Sequence, residues 1–301
     1  MLIQNSKAIT LGVLVIVIVT AVYFDTAARM RNGHQTFEEV QPVPMQLRQH
    51  LPNCILFGVQ KGGTGALIEF LDLHPDIVVQ HHETHFFDYD DRYSRGLDYY
   101  KSLMPLSFPN QVIIEKTPDY FHTEDVARRI HEMNSSLKLL LAVRNPVTRM
   151  LSQYAMALKN HPDFPPVRHL IFDPQGNVNS KILLFNMSTY HIHFSRWLKY
   201  FPRNNIHIIN SEKFTRNPYK ELVKIERFLG IGHKISKQRI YFDSQRGFYC
   251  MLKNNESTCL PPSKGLKHPD LSGDEIDKLR KYFKPLNEQF FKVAGRRFKW
   301  K

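Results

Sequence analysis

The sequence predicts an α/β fold: a single domain with a central parallel sheet flanked by helices, opening with a phosphate-loop-like strand, loop and helix. Three observations predict it. The apolar run Cys54 to Val59 turns through QKGGT directly into GALIEFLDLH, whose apolar spacing suits a helix. Two further apolar runs, QVIIEK (Gln111 to Lys116) and LKLLLAVR (Leu137 to Arg144), lack polar alternation and read as strands buried on both faces. Helical segments separate these runs, and alternating strand and helix builds a parallel sheet covered on both sides.

From the amino terminus, the stretch 8–24 carries no charge and is rich in Leu, Ile and Val. As a helix it spans roughly 25 Å, at the short end for a bilayer but tolerable in a thin membrane. It reads as a transmembrane signal-anchor behind a short tail, 1–7, with a cleaved signal peptide as the rival because Ala27 and Ala28 follow the run. The charges on either side are balanced and leave orientation open. Residues 25–51 mix Gln, Pro, Glu and His without periodicity, as a poorly ordered stem would.

The remaining 52–301 reads as one domain without internal repeats. After the first strand and helix, Ile77 to Val79 fits a short strand and EDVARRIHEM a helix. Pro146 opens a helix through MLSQYAMAL, since proline at the first helical position wastes no hydrogen bond. Helices also fit Ser188 to Tyr200 and Pro218 to Leu229, with the strand IHII between them. Ser272 and Glu275 form a capping box for a last helix that Pro285 is expected to interrupt.

Composition narrows the partner. The 301 residues, 42% hydrophobic, can bury a substantial core, and Lys plus Arg exceed Asp plus Glu by 41 to 28, a net charge of +13. A polyanion is implied. There is no arginine-rich arm, zinc-finger spacing or aromatic RNA-binding signature to mark nucleic acid; an anionic polysaccharide fits the charge equally well, and a merely soluble basic surface is the bland alternative. Sequons at Asn134, Asn186 and Asn255, and the closely spaced Cys250 and Cys259, suit an oxidising lumen, with Cys54 left over as a buried strand residue.

The chemistry clusters where a parallel sheet gathers ligands, at the carboxyl ends of its strands. QKGGT follows the first strand, HHETHFFD follows Val79, EKTPDYF follows the QVII strand, and RNPVTRMLS follows the LLLAV strand. In QKGGT, glycines let the backbone approach an anion, the helix start supplies a positive dipole end, and Lys61 adds a full charge. The spacing is not the nucleotide-triphosphate GxxxxGK followed by Ser or Thr, and nothing directly after Lys61 could hold magnesium as a kinase-type enzyme requires.

KGGT, ETHFFD, EKTPDYF, RNPVTRMLS and the late GFYC and SKGLKHP resemble, in order, the heparan sulfate glucosamine 3-O-sulfotransferase family, over nearly the whole of 52–301. The resemblance implies a Golgi type II membrane enzyme that moves a sulfuryl group from 3′-phosphoadenylyl sulfate (PAPS) to heparan sulfate, with no metal. It assigns Lys61, Gly62, Gly63, Thr64 and Gly65 to the donor's phosphosulfate, and Arg144 and Ser152 to its 3′-phosphate. Tyr249, Lys264, Gly265, Leu266, Lys267 and His268 would complete the donor site, beside a disulfide between Cys250 and Cys259. Glu83 would be the base, oriented by His85. Lys116 would neutralise transition-state charge with Lys61, and Asp88 and His268 would help hold the acceptor.

Four positions depart from that family's pattern: Gln60 and Leu266 where basic residues are expected, Gly65 in place of arginine, and Met156 in place of glutamine. All are expected on the acceptor side, with Lys267, Lys159 or Arg149 as possible substitutes for the missing polarity. Competing readings are sulfation of another position or polysaccharide, and a heparin-binding membrane protein without turnover.

Overall fold

Each strand of the central sheet presents one apolar row to each side. On β1 (Cys54–Gly58) and β4 (Lys138–Val143), Ile55, Phe57, Leu139 and Leu141 enter one core cluster. Cys54, Leu56, Leu140 and Ala142 enter the other, as a period of two requires. The computed structural model describes residues 46–254, 256–261 and 265–300. The stretch 8–24, most of the expected stem, Asn255 and Lys264 lie outside them. Among the described residues, no helix is long and apolar enough to cross a membrane.

The sheet is completed by β2 (Ile77–Val79), β3 (Val112–Lys116) and β5 (Ile206–Asn210). Its five strands run in the order β2-β3-β1-β4-β5, all parallel. From β1 the chain goes first to the edge strand β2, returns to β3 beside β1, then crosses to β4 and β5 on the other side of β1. The order therefore reverses between β1 and β4, and a crevice opens at their carboxyl ends.

The helices follow local signals. Helix α1 (Thr64–Leu71) leaves the loop after β1, and α2 (Val126–Met133) lies between β3 and β4. Helix α3 (Pro146–Asn160) starts at Pro146 and is capped by Asn145, whose side chain accepts from the amides of Val147 and Thr148. Helix α4 (Tyr190–Trp197) precedes β5. Helix α5 (Pro218–Leu229) is capped by Asn217 and stopped by Gly230 at φ 78°. Helix α6 (Gly273–Ala294) has the expected Ser272–Glu275 capping box.

Two expectations are corrected. Pro285 does not interrupt α6, which runs on to Ala294. Leu279 and Phe283 before the proline, and Phe290, Phe291 and Ala294 after it, are all buried, so packing holds the helix together across the missing amide donor. The folded unit also begins earlier than residue 52. It starts at Gln46, because Arg48–Gln49 pairs antiparallel with Leu106–Ser107 and the Gln49 amide donates to the carbonyls of Ser102 and Met104.

A second, antiparallel sheet contains β6 (Ile240–Asp243), β7 (Phe248–Lys253) and β8 (Glu256–Thr258). Cys250 Sγ on β7 lies 2.08 Å from Cys259 Sγ, just past β8. Cys54 is buried in β1, and burial raises its thiol pKa far above the ordinary value.

Candidate active site

The loop from Gln60 to Gly63 is held from beneath by backbone contacts. The Val59 amide donates to Ala142 O (2.9 Å), the Gly62 amide to Val59 O (2.8 Å), and Ser211 Oγ to Gly62 O (2.5 Å). A Cβ on Gly62 would stand 2.4 Å from Ala142 O, which is why no side chain fits there. Gly63 takes φ 87° as the cap of α1, a region that favours glycine. The start of α1 thus opens onto a cavity of about 450 Å³ lined by Lys61, Gly62, Gly63, Thr64 and Gly65.

Across that cavity stand Glu83 and Lys116. Lys116 Nζ donates to Glu83 Oε1 at 2.5 Å, and His85 Nε2 lies 3.6 Å from Glu83 Oε2. His85 Nδ1 meets Asp88 Oδ2 at 2.7 Å. Burial works against charge on Glu83, but hydrogen bonds from His85 and Lys116 overcome it and lower its pKa to about 2. The hydrogen bond with Asp88, and then that with Glu83, raise His85 to about 10. Glu83 is therefore a carboxylate, His85 an imidazolium. His85, Asp88 and Asp119 also offer ligand atoms within 4.8 Å of one another, a set that would hold a metal ion only with the imidazole deprotonated.

Arg144, at the end of β4, and Ser152, two turns into α3, line the same cavity. Tyr190 fixes the Arg144 carbonyl with a 2.8 Å hydrogen bond. Arg149 is fully buried. It donates to Ser188 Oγ (2.7 Å), Leu184 O (2.9 Å) and Gln60 O (3.5 Å), so its charge sits under the loop. Burial lowers its pKa to about 10.

Of the late residues, Gly265 and Leu266 line the cavity. Lys267 and His268 line a neighbouring hollow that shares Leu266 with it. His268 is lowered by burial and by the charges of Arg144 and Lys61, which places it near both. Tyr249 is not among the cavity's lining residues. It packs edge-on against Phe242, while Gly247 and Phe248 form the wall, since successive strand residues face opposite ways. Asp88 stands behind His85 with its side chain only 4% exposed, a partner for the imidazolium and not a surface for an acceptor.

Sequence reasoning missed Ser211 and Thr215, which line the cavity from the short helix Ser211–Arg216 after β5. The signal was present, because IHII is a strand and the residues after it deserved the comparison given to the other strand ends. Gln60, Gly65, Met156 and Leu266 all line this one cavity, and Met156 Sδ lies 3.4 Å from Lys61 Nζ.

The profile described as "Sulfotransferase domain" matches residues 51–299. Heparan sulfate glucosamine 3-O-sulfotransferase 5 of Mus musculus is 42% identical over 276 residues, covering 90% of this chain and 79% of that protein. Heparan sulfate glucosamine 3-O-sulfotransferase 6 of Homo sapiens is 38% identical over 257 residues, covering 84% and 75%. Among solved structures, a sulfotransferase from Alicyclobacillus acidocaldarius aligns with a TM-score of 0.63 at 20% identity, covering 83% of this chain and 98% of that one. That likeness shows the fold.

Proposed function

This chain belongs to the heparan sulfate glucosamine 3-O-sulfotransferase family of sulfotransferase-domain enzymes, and we propose that its cavity transfers a sulfuryl group from PAPS to a glucosamine 3-hydroxyl of heparan sulfate. The observation that carries this is the meeting, in one cavity, of an anion-binding loop and a carboxylate paired with lysine and histidine. The Lys61 to Gly65 loop suits the phosphosulfate, and Arg144 and Ser152 suit the 3′-phosphate. Gly265 and Leu266 stand where they would cover the donor.

In the reaction Glu83 takes the proton of the sugar hydroxyl as its oxygen bonds to sulfur. The bond from sulfur to the bridging phosphate oxygen breaks, and adenosine 3′,5′-bisphosphate leaves with an added negative charge. Lys61 and the start of α1 stabilise that charge, while Lys116 stabilises the sulfonate oxygens. A carboxylate held near pKa 2 is a weak base. The 2.5 Å pair with Lys116 must therefore part when the sulfonate draws the ammonium away, which lifts Glu83 toward a useful basicity. His85 stays beside it, its ring fixed by Asp88.

The chain's positive charge and the hollow containing Lys159, Lys267 and His268 favour a polyanionic acceptor. We also read the protein as a Golgi type II membrane protein with its folded unit in the lumen. The apolar stretch 8–24 and the sequons support this, and Asn134 and Asn186 are exposed.

Incubating the 46–301 unit with radiolabelled PAPS and heparan sulfate, then identifying the labelled disaccharide, tests the reaction. Label at the glucosamine 3-oxygen is expected. Label at another position would correct the acceptor, and absence of label would favour a binding protein without turnover.

A further inference from the structure

We propose that Glu115 is a positioning residue for the transfer: its buried carboxylate, through Thr84 and Thr117, sets where Glu83 and Lys116 stand relative to each other. This inference rests on the reaction proposed above.

Glu115 precedes Lys116 on β3, so the two side chains leave the strand on opposite faces. Lys116 lines the cavity, and Glu115 is buried with 0% exposure. Its Oε1 accepts from Thr117 Oγ1 at 2.5 Å and from Thr84 Oγ1 at 3.1 Å. Thr117 follows Lys116 in the chain, and Thr84 follows Glu83. One oxygen therefore grips the residue next to each member of the ion pair.

The grip extends to the backbone. Thr117 Oγ1 accepts from the Thr84 amide at 3.1 Å. Tyr120 OH meets Thr84 Oγ1 at 3.0 Å and accepts from the Phe86 amide at 3.1 Å. The segment that carries Glu83 and His85 is thereby tied to the end of β3 by a buried polar network. Such a network is costly in an apolar interior. Its expense is plain here, because Glu115 Oε2 has no hydrogen-bond partner and Lys116 Nζ is committed to Glu83. An apolar residue would serve packing alone better.

The groups facing Glu115 are Lys116, the phenols of Tyr100 and Tyr120 and the Cys54 thiol. The phenols and the thiol are all raised by burial and stay neutral. Burial raises Glu115 to about 7, against the hydrogen bonds from Thr117 and Thr84 and the charge of Lys116. Glu83 at about 2 and His85 at about 10 keep their charges across neutrality. Protonating Glu115 weakens the acceptor that both threonine hydroxyls use, so turnover should rise as pH climbs through about 7.

The test compares wild type, Glu115→Gln and Glu115→Asp by steady-state transfer against pH, binding of adenosine 3′,5′-bisphosphate and thermal melting. Glu115→Gln should melt close to wild type and bind the nucleotide within about threefold, while kcat falls about ten- to a hundredfold and the rise near neutral pH disappears. Glu115→Asp, which keeps the charge, should retain a pH-dependent rise with intermediate kcat. An unchanged kcat and pH profile in Glu115→Gln would overturn the proposal, as would parallel loss of melting temperature, nucleotide affinity and kcat. A wild-type protein without turnover would overturn the reaction itself and this role with it; active wild type with an indifferent Glu115→Gln would remove the role alone.

Discussion

Replacing Glu83 with glutamine removes one charge at nearly constant volume, at a position where three groups converge. Its Oε1 takes the Lys116 ammonium at 2.5 Å, and its Oε2 stands 3.6 Å from the His85 ring. The amide keeps one oxygen for Lys116, but that ammonium is only 7% exposed and loses its charged partner, so the stability cost should be about 1–3 kcal/mol. The catalytic cost should be far larger. An amide cannot accept the hydroxyl proton, and loss of a general base lowers kcat by about 10² to 10⁴-fold. Donor binding should hold or tighten, since Lys116 no longer has a carboxylate competing with the sulfonate. Initial rates with radiolabelled PAPS, equilibrium binding of adenosine 3′,5′-bisphosphate and a thermal melt separate these effects. A kcat within about threefold of wild type would refute the assignment of the base, and loss of nucleotide binding together with melting temperature would mean the substitution had merely disturbed the fold.

Two further outcomes follow from the geometry. Gly62→Ala places a methyl 2.4 Å from Ala142 O and 2.8 Å from Val59 O, backbone atoms that cannot turn aside. It should destabilise by about 1–3 kcal/mol and abolish nucleotide binding in a calorimetric titration, whereas Gly63→Ala has no atom within 4 Å and should cost only about 1 kcal/mol for its φ. His85 holds its proton more tightly when folded, with a pKa raised to about 10 against about 6.5 in the unfolded chain. Its stabilisation is complete below the lower value and drains away as pH rises toward the higher one. Urea midpoints should therefore decline across that window in wild type, and His85→Gln should lack that part of the slope; identical slopes would contradict the protonated imidazole.

Much of the molecule was legible because its signals are local. Cys54–Gly58, Pro146–Asn160 and Pro218–Leu229 are marked by apolar runs, apolar periodicity and a proline at a helix start, and these work without knowledge of distant residues. The clusters after four strands were found because a parallel sheet sends all its carboxyl ends to one edge. What failed depended on long-range contacts. Whether Phe248 or Tyr249 faces the cavity depends on which way β7 lies. Pro285 is tolerated because aromatic residues on both sides of it are buried. Glu115 reads in sequence as one more polar strand-end residue, and only the fold brings Thr84 to it.

The contact between Arg149 and Ser188 bears on how the sequon at Asn186 is examined. Ser188 is the third residue of that sequon and is 2% exposed, so its hydroxyl belongs to the support beneath the loop of Lys61. Deleting the sequon by Ser188→Ala would take from the buried Arg149 guanidinium its 2.7 Å acceptor and leave it the carbonyls of Leu184 and Gln60, so a fall in turnover would not by itself report a missing glycan. Asn186→Gln is the clean alternative, because the Asn186 group that His193 contacts is the backbone carbonyl, which that exchange leaves in place.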